Sequence, residues 1–382
     1  MKDLTAGIDP RRAAVIAAAG EVRAEWALLT DPGSVAYGAG HAAGIETGPS
    51  PFDGGPTAAL IAPDGTLRIT CNELEAAGAE AAGAEVFSYE ALGYADQRPL
   101  PVKYAEALGR MLDAAEVSGT VAVQAASCPA AAMSELGGRT RLAWLDESLD
   151  RRRAIKSEAE IAALRHCAAV TAAGHAAVPG ALRAGRTELE TWAEVRLAME
   201  AEAGARLPVA GDFVTGRART AAIGGPPGPR RLERGDPVIA DLAPRVGGYW
   251  GDSATTTWIG APSRKMERMH TTVLEAWNMV LETLRPGVTC AAFDAPVRAH
   301  LRAPGYANDI HMGHGIGTSV HEWPRLVPGN DAVIQPGMVL MVEPGAYHPE
   351  VGGVRVEQMF LITGTGYEIL SPFEISRELV IV

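Results

Sequence analysis

Cysteine is scarce and scattered in this chain of 382 residues: Cys71, Cys128, Cys167 and Cys290 form no CxxC pair. That excludes a disulfide framework and a thiolate zinc site, and a reducing cytoplasm is the simplest setting. Positive charge is also in deficit. A net charge of -12 argues against nucleic acid or an anionic membrane as the main partner. No apolar run approaches the roughly 18 to 20 residues of a membrane span. The stretch AAVIAAAG after Arg11 and Arg12 superficially resembles an export signal, but it stops at Glu21 and reads as a surface helix.

What is present is a globular composition, long enough for two domains. Up to about residue 150, helical stretches alternate with short apolar runs: WALLT (26 to 30), AALIAP (58 to 63), LRITC (67 to 71), GTVAVQ (119 to 124) and RLAWL (141 to 145). This alternation predicts an α/β domain over 1–150. A charged joint, LDESLDRRRAIKSEAEI, opens a second domain over 151–382, for which helices grouped around hairpins predict an α+β class. Ser157 with Glu160, and Thr187 with Glu190, have capping-box spacing, and residues 266 to 285 form a third amphipathic helix ended by Pro286 and Gly287.

Carboxylates stand where strands should be apolar. Asp241 in PVIADLA and Asp252 in YWGDSATTTWI are joined by PRVGG, and a turn centred between Val246 and Gly247 sets them opposite each other on one face. Glu343 in MVLMVEP and Glu357 in VRVEQMF repeat the construction about residue 350. Facing carboxylates some 4.5 to 5.5 Å apart repel unless a proton or a cation lies between them. Four carboxylates with an imidazole nearby make an oxygen-rich site for two divalent ions, manganese, cobalt, iron or zinc. Such a site can hold a bridging hydroxide and polarise a carbonyl, which is the equipment of amide hydrolysis. The histidine-rich stretch HMGHGIGTSVHEWP (311 to 324) supplies the imidazole.

On DLAPRVGGYWGDSATT (241 to 256), RPGVTCAAFD (285 to 294), GHGIGTSVHEWP (313 to 324) and VEPGAYHPEVGGVRVEQ (342 to 358), the chain resembles the creatinase, prolidase, aminopeptidase P and methionine aminopeptidase superfamily, whose catalytic domain has the pita-bread fold. DPGSVAYGAG (31 to 40) is similar to a strand and Tyr-x-x-Gly turn of the smaller creatinase-like N-terminal domain, which methionine aminopeptidases lack. The resemblance implies metal ligands at Asp241, Asp252, His314, Glu343 and Glu357. It implies that Asp241 binds one ion, that Asp252 and Glu357 bridge, and that His314 and Glu343 complete the second. Glu343 is implied as the proton shuttle, His321 as a catalytic and substrate-contacting histidine, and Arg355 as a substrate-side arginine. His311 matches no functional position and reads as incidental.

There are two departures from the family pattern. Proline-specific members carry a histidine where Gly224 stands, and the common Asp-x-Thr-Arg-Thr is Asp252-Ser-Ala-Thr-Thr. The loop 216 to 231 is therefore where substrate preference could differ, with Arg217 or Arg219 as candidates for pairing with a substrate carboxylate. The resemblance implies an Xaa-Pro dipeptidase or aminopeptidase P-like hydrolase of short peptides that uses two divalent ions, manganese foremost, and forms a homodimer. The alternatives are a creatinase-like hydrolase or lyase of a small non-peptide C–N substrate, and a non-catalytic peptide binder, which would be expected to have lost its ligands.

Overall fold

The computed structural model describes residues 8–44, 53–93 and 95–382, in two compact units, Met1–Arg153 and Ala154–Val382. The first is built on a six-stranded mixed sheet, ordered Glu85–Tyr89, Leu67–Asn72, Ala58–Ile61, Trp26–Leu29, Thr120–Val123 and Arg141–Trp144. The five apolar runs of the sequence are five of these strands, and Glu85–Tyr89 is the sixth. Side chains alternate across the sheet, so Leu28 and Leu60 enter one core while Leu29 and Ile61 enter the other. AAVIAAAG lies in the helix Pro10–Glu21, which buries only Val15, Ala18 and Ala19.

DPGSVAYGAG is not a strand but the helix Pro32–Ala39. The Asp31 side chain accepts from the Ser34 N–H, Pro32 opens the first turn, and Gly40 closes the last in the left-handed conformation. These local signals make the segment a helix where the resemblance led to the expectation of a strand.

The second unit is α+β and repeats one plan. The helix pair Glu158–Ala181 and Glu188–Ala203 precedes a long hairpin, and the pair Arg264–Thr283 and Cys290–Arg302 precedes another. Both expected capping boxes are formed, with Ser157 and Thr187 as caps. Among the described residues, Glu158–Ala181 is the one helix long and apolar enough to cross a membrane, contrary to the expectation that no stretch comes near. Half of its apolar window is buried inside the unit, where His175 and Thr171 hydrogen-bond to neighbouring groups, as in the core helix of a globular domain.

Each long hairpin is interrupted at its carboxylates. Pro237–Asp241 and Ala243–Val246 run out, and Tyr249–Trp250 and Ala254–Trp258 return. Val339–Val342 and Gly345–His348 run out, and Gly352–Arg355 and Gln358–Ile362 return. Asp241 ends a strand, whereas Asp252, Glu343 and Glu357 lie in the breaks, so none interrupts a strand interior as the sequence suggests. The second hairpin has the register centred on residue 350, with Val342 opposite Gln358 and Gly345 opposite Arg355. The first is displaced by two residues: Asp241 pairs with Ala254, because the chain reverses at Gly247 and Gly248, both at positive φ. A two-residue displacement keeps the side-chain face, so Asp252 still turns toward Asp241.

The segment carrying His314 and His321 is held by a buried ion pair. Lys156 Nζ lies 3.2 Å from Glu322 Oε2, and the two side chains are 1% and 6% exposed. Lys156→Met leaves the Glu322 carboxylate buried beside no ammonium, and unfolding stability is expected to fall by about 3–5 kcal/mol. The double variant with Glu322→Leu should recover part of that loss. Denaturant unfolding of the two variants checks this.

Candidate metal centre

The two hairpins meet where their ladders are broken. The Glu357 N–H donates to the Ala254 carbonyl at 2.9 Å, and the Arg355 N–H and carbonyl both pair with the Thr256 hydroxyl, at 3.0 and 2.8 Å. These bonds bring four buried carboxylates, Asp241, Asp252, Glu343 and Glu357, to one cavity of about 310 Å3. His314 enters from the short strand Gly313–Gly315, paired on one side with Val339–Val342. A larger cavity, about 510 Å3, lies by His175, Thr255 and Phe373, but none of these five residues lines it.

His314 is prepared as a ligand. Its Nδ1 lies 2.9 Å from the Gly315 carbonyl, the partner that holds the proton on Nδ1 and leaves the Nε2 lone pair free. Nε2 points between Asp252 Oδ2 and Glu343 Oε1, 3.7 Å from each. Burial, opposed by the Glu343 charge, pushes its pKa down to about 4, so the ring is neutral. Asp252 Oδ1 and Glu357 Oε2 are buried and accept no hydrogen bond. Ligand atoms of Asp252, His314 and Glu357 lie within 4.8 Å of one another. Orphaned carboxylate oxygens beside a neutral imidazole nitrogen are what a divalent cation requires, and the donor set fits hard or borderline ions.

The electrostatics are strained in the way facing carboxylates must be. Burial, with the Asp241 and Glu343 charges, drives Asp252 well above the ordinary carboxylate range, and burial with the Asp252 charge does the same to Glu357. Asp241 rises to about 6, chiefly through burial and against the pull of Arg355. Glu343 moves the other way. Burial is the largest single influence and raises it, but the His311 hydrogen bond and the Arg355 charge act against it, and the net direction is down.

Arg355 reaches the site, though its donors go to the protein rather than to open space. Nε donates to the Tyr347 hydroxyl at 2.9 Å, Nη2 to the Ile223 carbonyl at 2.7 Å, and Nη1 to Asp241 and, at 3.2 Å, to Asp212. It holds the carboxylates in place. His321 is exposed at the cavity, its ring 4.3 Å from that of His314. His311, read as incidental, also lines the cavity, with Nε2 3.1 Å from Glu343 Oε1. The loop before it is tied down by the buried Asp294, Arg298 and Asn308, the last donating to the Gly345 carbonyl. Spacing along the histidine-rich stretch carries no sign of that contact.

Neither Arg217 nor Arg219 lines the cavity. Arg219 pairs with the buried Glu188 at 3.1 Å, and Glu188 also accepts from the Thr215 and Gly228 N–H groups. Thr255 stands where the family pattern has arginine. It pairs with Ala240, next to the Ala254–Asp241 pair, so it faces away from the carboxylates and bonds the buried His175 at 3.1 Å. Asp212 lines the cavity beside Arg355 and is a residue that the sequence reading missed. It lies outside every motif, and its backbone pairing with Asp241, at 2.8 and 2.9 Å, is legible only in the folded chain.

The sequence profile of metallopeptidase family M24 matches residues 162–364. The chain belongs to metallopeptidase family M24. It is 34% identical over 238 residues to the Xaa-Pro dipeptidase of Pyrococcus horikoshii, covering 62% of this chain and 67% of that protein. It is 37% identical over 232 residues to a probable dipeptidase, PepE, of Mycobacterium bovis, covering 57% of this chain and 58% of that one. The solved Xaa-Pro dipeptidase from Bacillus anthracis superposes with a TM-score of 0.81 at 24% identity, over 97% of this chain and 99% of that one. The dipeptidase PepE from Mycobacterium ulcerans does so with a TM-score of 0.78 at 27% identity, over 97% of each. The fold is thus that of the prolidases, a pita-bread unit preceded by a smaller N-terminal unit, and the chain is a metal-dependent hydrolase of the peptidase type.

The raised carboxylates set a pH dependence. A group whose folded pKa is raised binds protons in the folded state that the unfolded chain releases, so Asp241 costs the metal-free protein stability as pH climbs from near 3.8 through about 6. A divalent ion removes that cost while displacing the protons. The rise in melting temperature between chelator-treated and manganese-supplemented protein is therefore expected to be larger near pH 8 than near pH 5. Paired thermal melts at the two pH values measure it.

Proposed function

We propose that this M24 enzyme is an Xaa-Pro dipeptidase or aminopeptidase P-like hydrolase of short peptides, in which Asp241, Asp252, His314, Glu343 and Glu357 hold two divalent ions, manganese foremost. The observation that carries the reading is the pair of orphaned carboxylate oxygens, on Asp252 and Glu357, beside the free Nε2 of His314. The similarity to Xaa-Pro dipeptidases supports the substrate class. A homodimer and a cytoplasmic setting complete the proposal, on the family resemblance and on cysteines that are all free.

When bound, such ions polarise the scissile carbonyl and lower the pKa of water toward neutrality. The chain's own residues supply the rest. Glu343, kept ionised among basic neighbours while other carboxylates are pushed toward protonation, takes a proton at Oε1 and passes it to the leaving nitrogen. His311 donates from Nε2 to that same oxygen and so orients it. His321, at the mouth with one face of its ring against His311 and His314, has its pKa lowered chiefly by the partial loss of water around that ring and presents a neutral imidazole to the substrate carbonyl. Arg355 and Tyr347 keep Asp241 from turning out of the cavity.

Manganese-, cobalt- and zinc-reconstituted protein, screened on Xaa-Pro dipeptides and tripeptides beside non-proline controls, tests this. Hydrolysis restricted to one or more Xaa-Pro substrates is expected, and no hydrolysis of any of them with any metal defeats the reading. Asp252→Ala should lower kcat/KM by more than about a hundredfold and reduce the bound metal per chain.

A further inference from the structure

The cavity holds a fifth carboxylate that belongs to none of the proposed ligands. Asp212 is anchored from every side: its N–H and carbonyl pair with Asp241, Oδ1 accepts from the Gly225 N–H at 2.7 Å, and Oδ2 from Arg355 Nη1 at 3.2 Å. Its side chain is nonetheless 26% exposed at the cavity. The Arg355 Nη1 that reaches it is shared with Asp241, so this one guanidinium answers two carboxylates. Apart from Arg355 and the three histidines, no basic residue lines the cavity among the described residues.

Gly224 explains why the carboxylate can be there. A Cβ built at Gly224 would lie 2.2 Å from Asp212 Oδ2 and 2.5 Å from its Cγ. No side chain at 224 coexists with the Asp212 carboxylate in this position. The glycine and the aspartate are one feature: the room that a side chain at 224 would fill is occupied by a fixed negative charge.

We propose that Asp212 is the specificity-determining residue of this cavity and receives a cationic group of the substrate, an ammonium or guanidinium close to the scissile bond. The proposal rests on the peptidase reading only for the bond that is broken. A preorganised carboxylate with lone pairs left over attracts such a group through a charge-assisted hydrogen bond, and it disfavours a free carboxylate in the same place. The cation could be a basic residue of a peptide or part of a small guanidinium or amidinium compound, and the two sources are separable by experiment.

The test pairs equilibrium binding with turnover. Calorimetry on the metal-reconstituted protein compares arginine amide with its uncharged isostere citrulline amide, in wild type and in Asp212→Asn. Arginine amide is expected to bind at least about tenfold tighter in wild type, and that preference should vanish in the variant. Equal preference in both proteins overturns the proposal. In turnover, basic Xaa-Pro dipeptides should exceed neutral ones through KM, again only with Asp212 intact. Cleavage of Xaa-Pro peptides with no charge preference overturns the proposal and leaves the peptidase reading standing. No peptide cleavage, with Asp212-dependent binding of arginine amide or guanidinium compounds, overturns the peptidase reading and supports the proposal with a small-molecule source. Independently of activity, Gly224→Ala should lower the melting temperature when Asp212 is present and much less beside Asp212→Gly. Equal losses in both backgrounds overturn the shared-space argument.

Discussion

Four carboxylates buried against one another around a single neutral imidazole are the constraint on which the second unit depends. Each is excluded from water, and the guanidinium of Arg355 is one positive charge among them. Without further cations the cluster must take up protons, which is the sense of the raised Asp252 and Glu357. A hydrophobic core does not keep such a group together by its own packing. Backbone bonds and the Arg355 network hold the side chains where they repel, and binding free energy of metal ions is available to offset that strain.

Much of this was legible because hairpin register is arithmetic. Glu343 and Glu357 are equidistant from residue 350, and the structure pairs the strands on either side of them as that centre requires. The first hairpin shows how such arithmetic errs. Its turn uses both glycines of PRVGG, moving the centre one position along and the pairing by two. The error left the chemistry intact because the period of a strand is two. Capping boxes at Ser157 and Thr187 were equally local, and they formed as spacing suggested.

Other features were hidden for physical reasons. The pairing of His311 with Glu343 and of Asp212 with Arg355 spans 32 and 143 positions of chain, and no local pattern encodes either. The helix Pro32–Ala39 was legible in its caps, Asp31, Pro32 and Gly40, but the resemblance of DPGSVAYGAG to a strand and turn pointed the other way. The missing arginine at Thr255 looked like a change to the site, but strand alternation turns that position away from the carboxylates. The missing histidine at Gly224 is the opposite case, since the Asp212 carboxylate, from twelve positions earlier, occupies the room a side chain there would need.

The repeated plan of helix pair and hairpin has a chemical consequence. Each hairpin contributes two carboxylates, and neither half alone encloses an ion. The halves are stitched by the Thr256 hydroxyl, which accepts from the Arg355 N–H and donates to its carbonyl, and by the Glu357 N–H on Ala254. One bond is made by the Glu357 N–H itself, to a carbonyl two residues from Asp252, and the other two join Thr256 to Arg355, two residues before Glu357, so the separation of the carboxylates is fixed within a few residues of them. The wall of the cavity is tied to the same frame, since Asp212 pairs with Asp241 through both main-chain groups and its side chain fills the room beside Gly224.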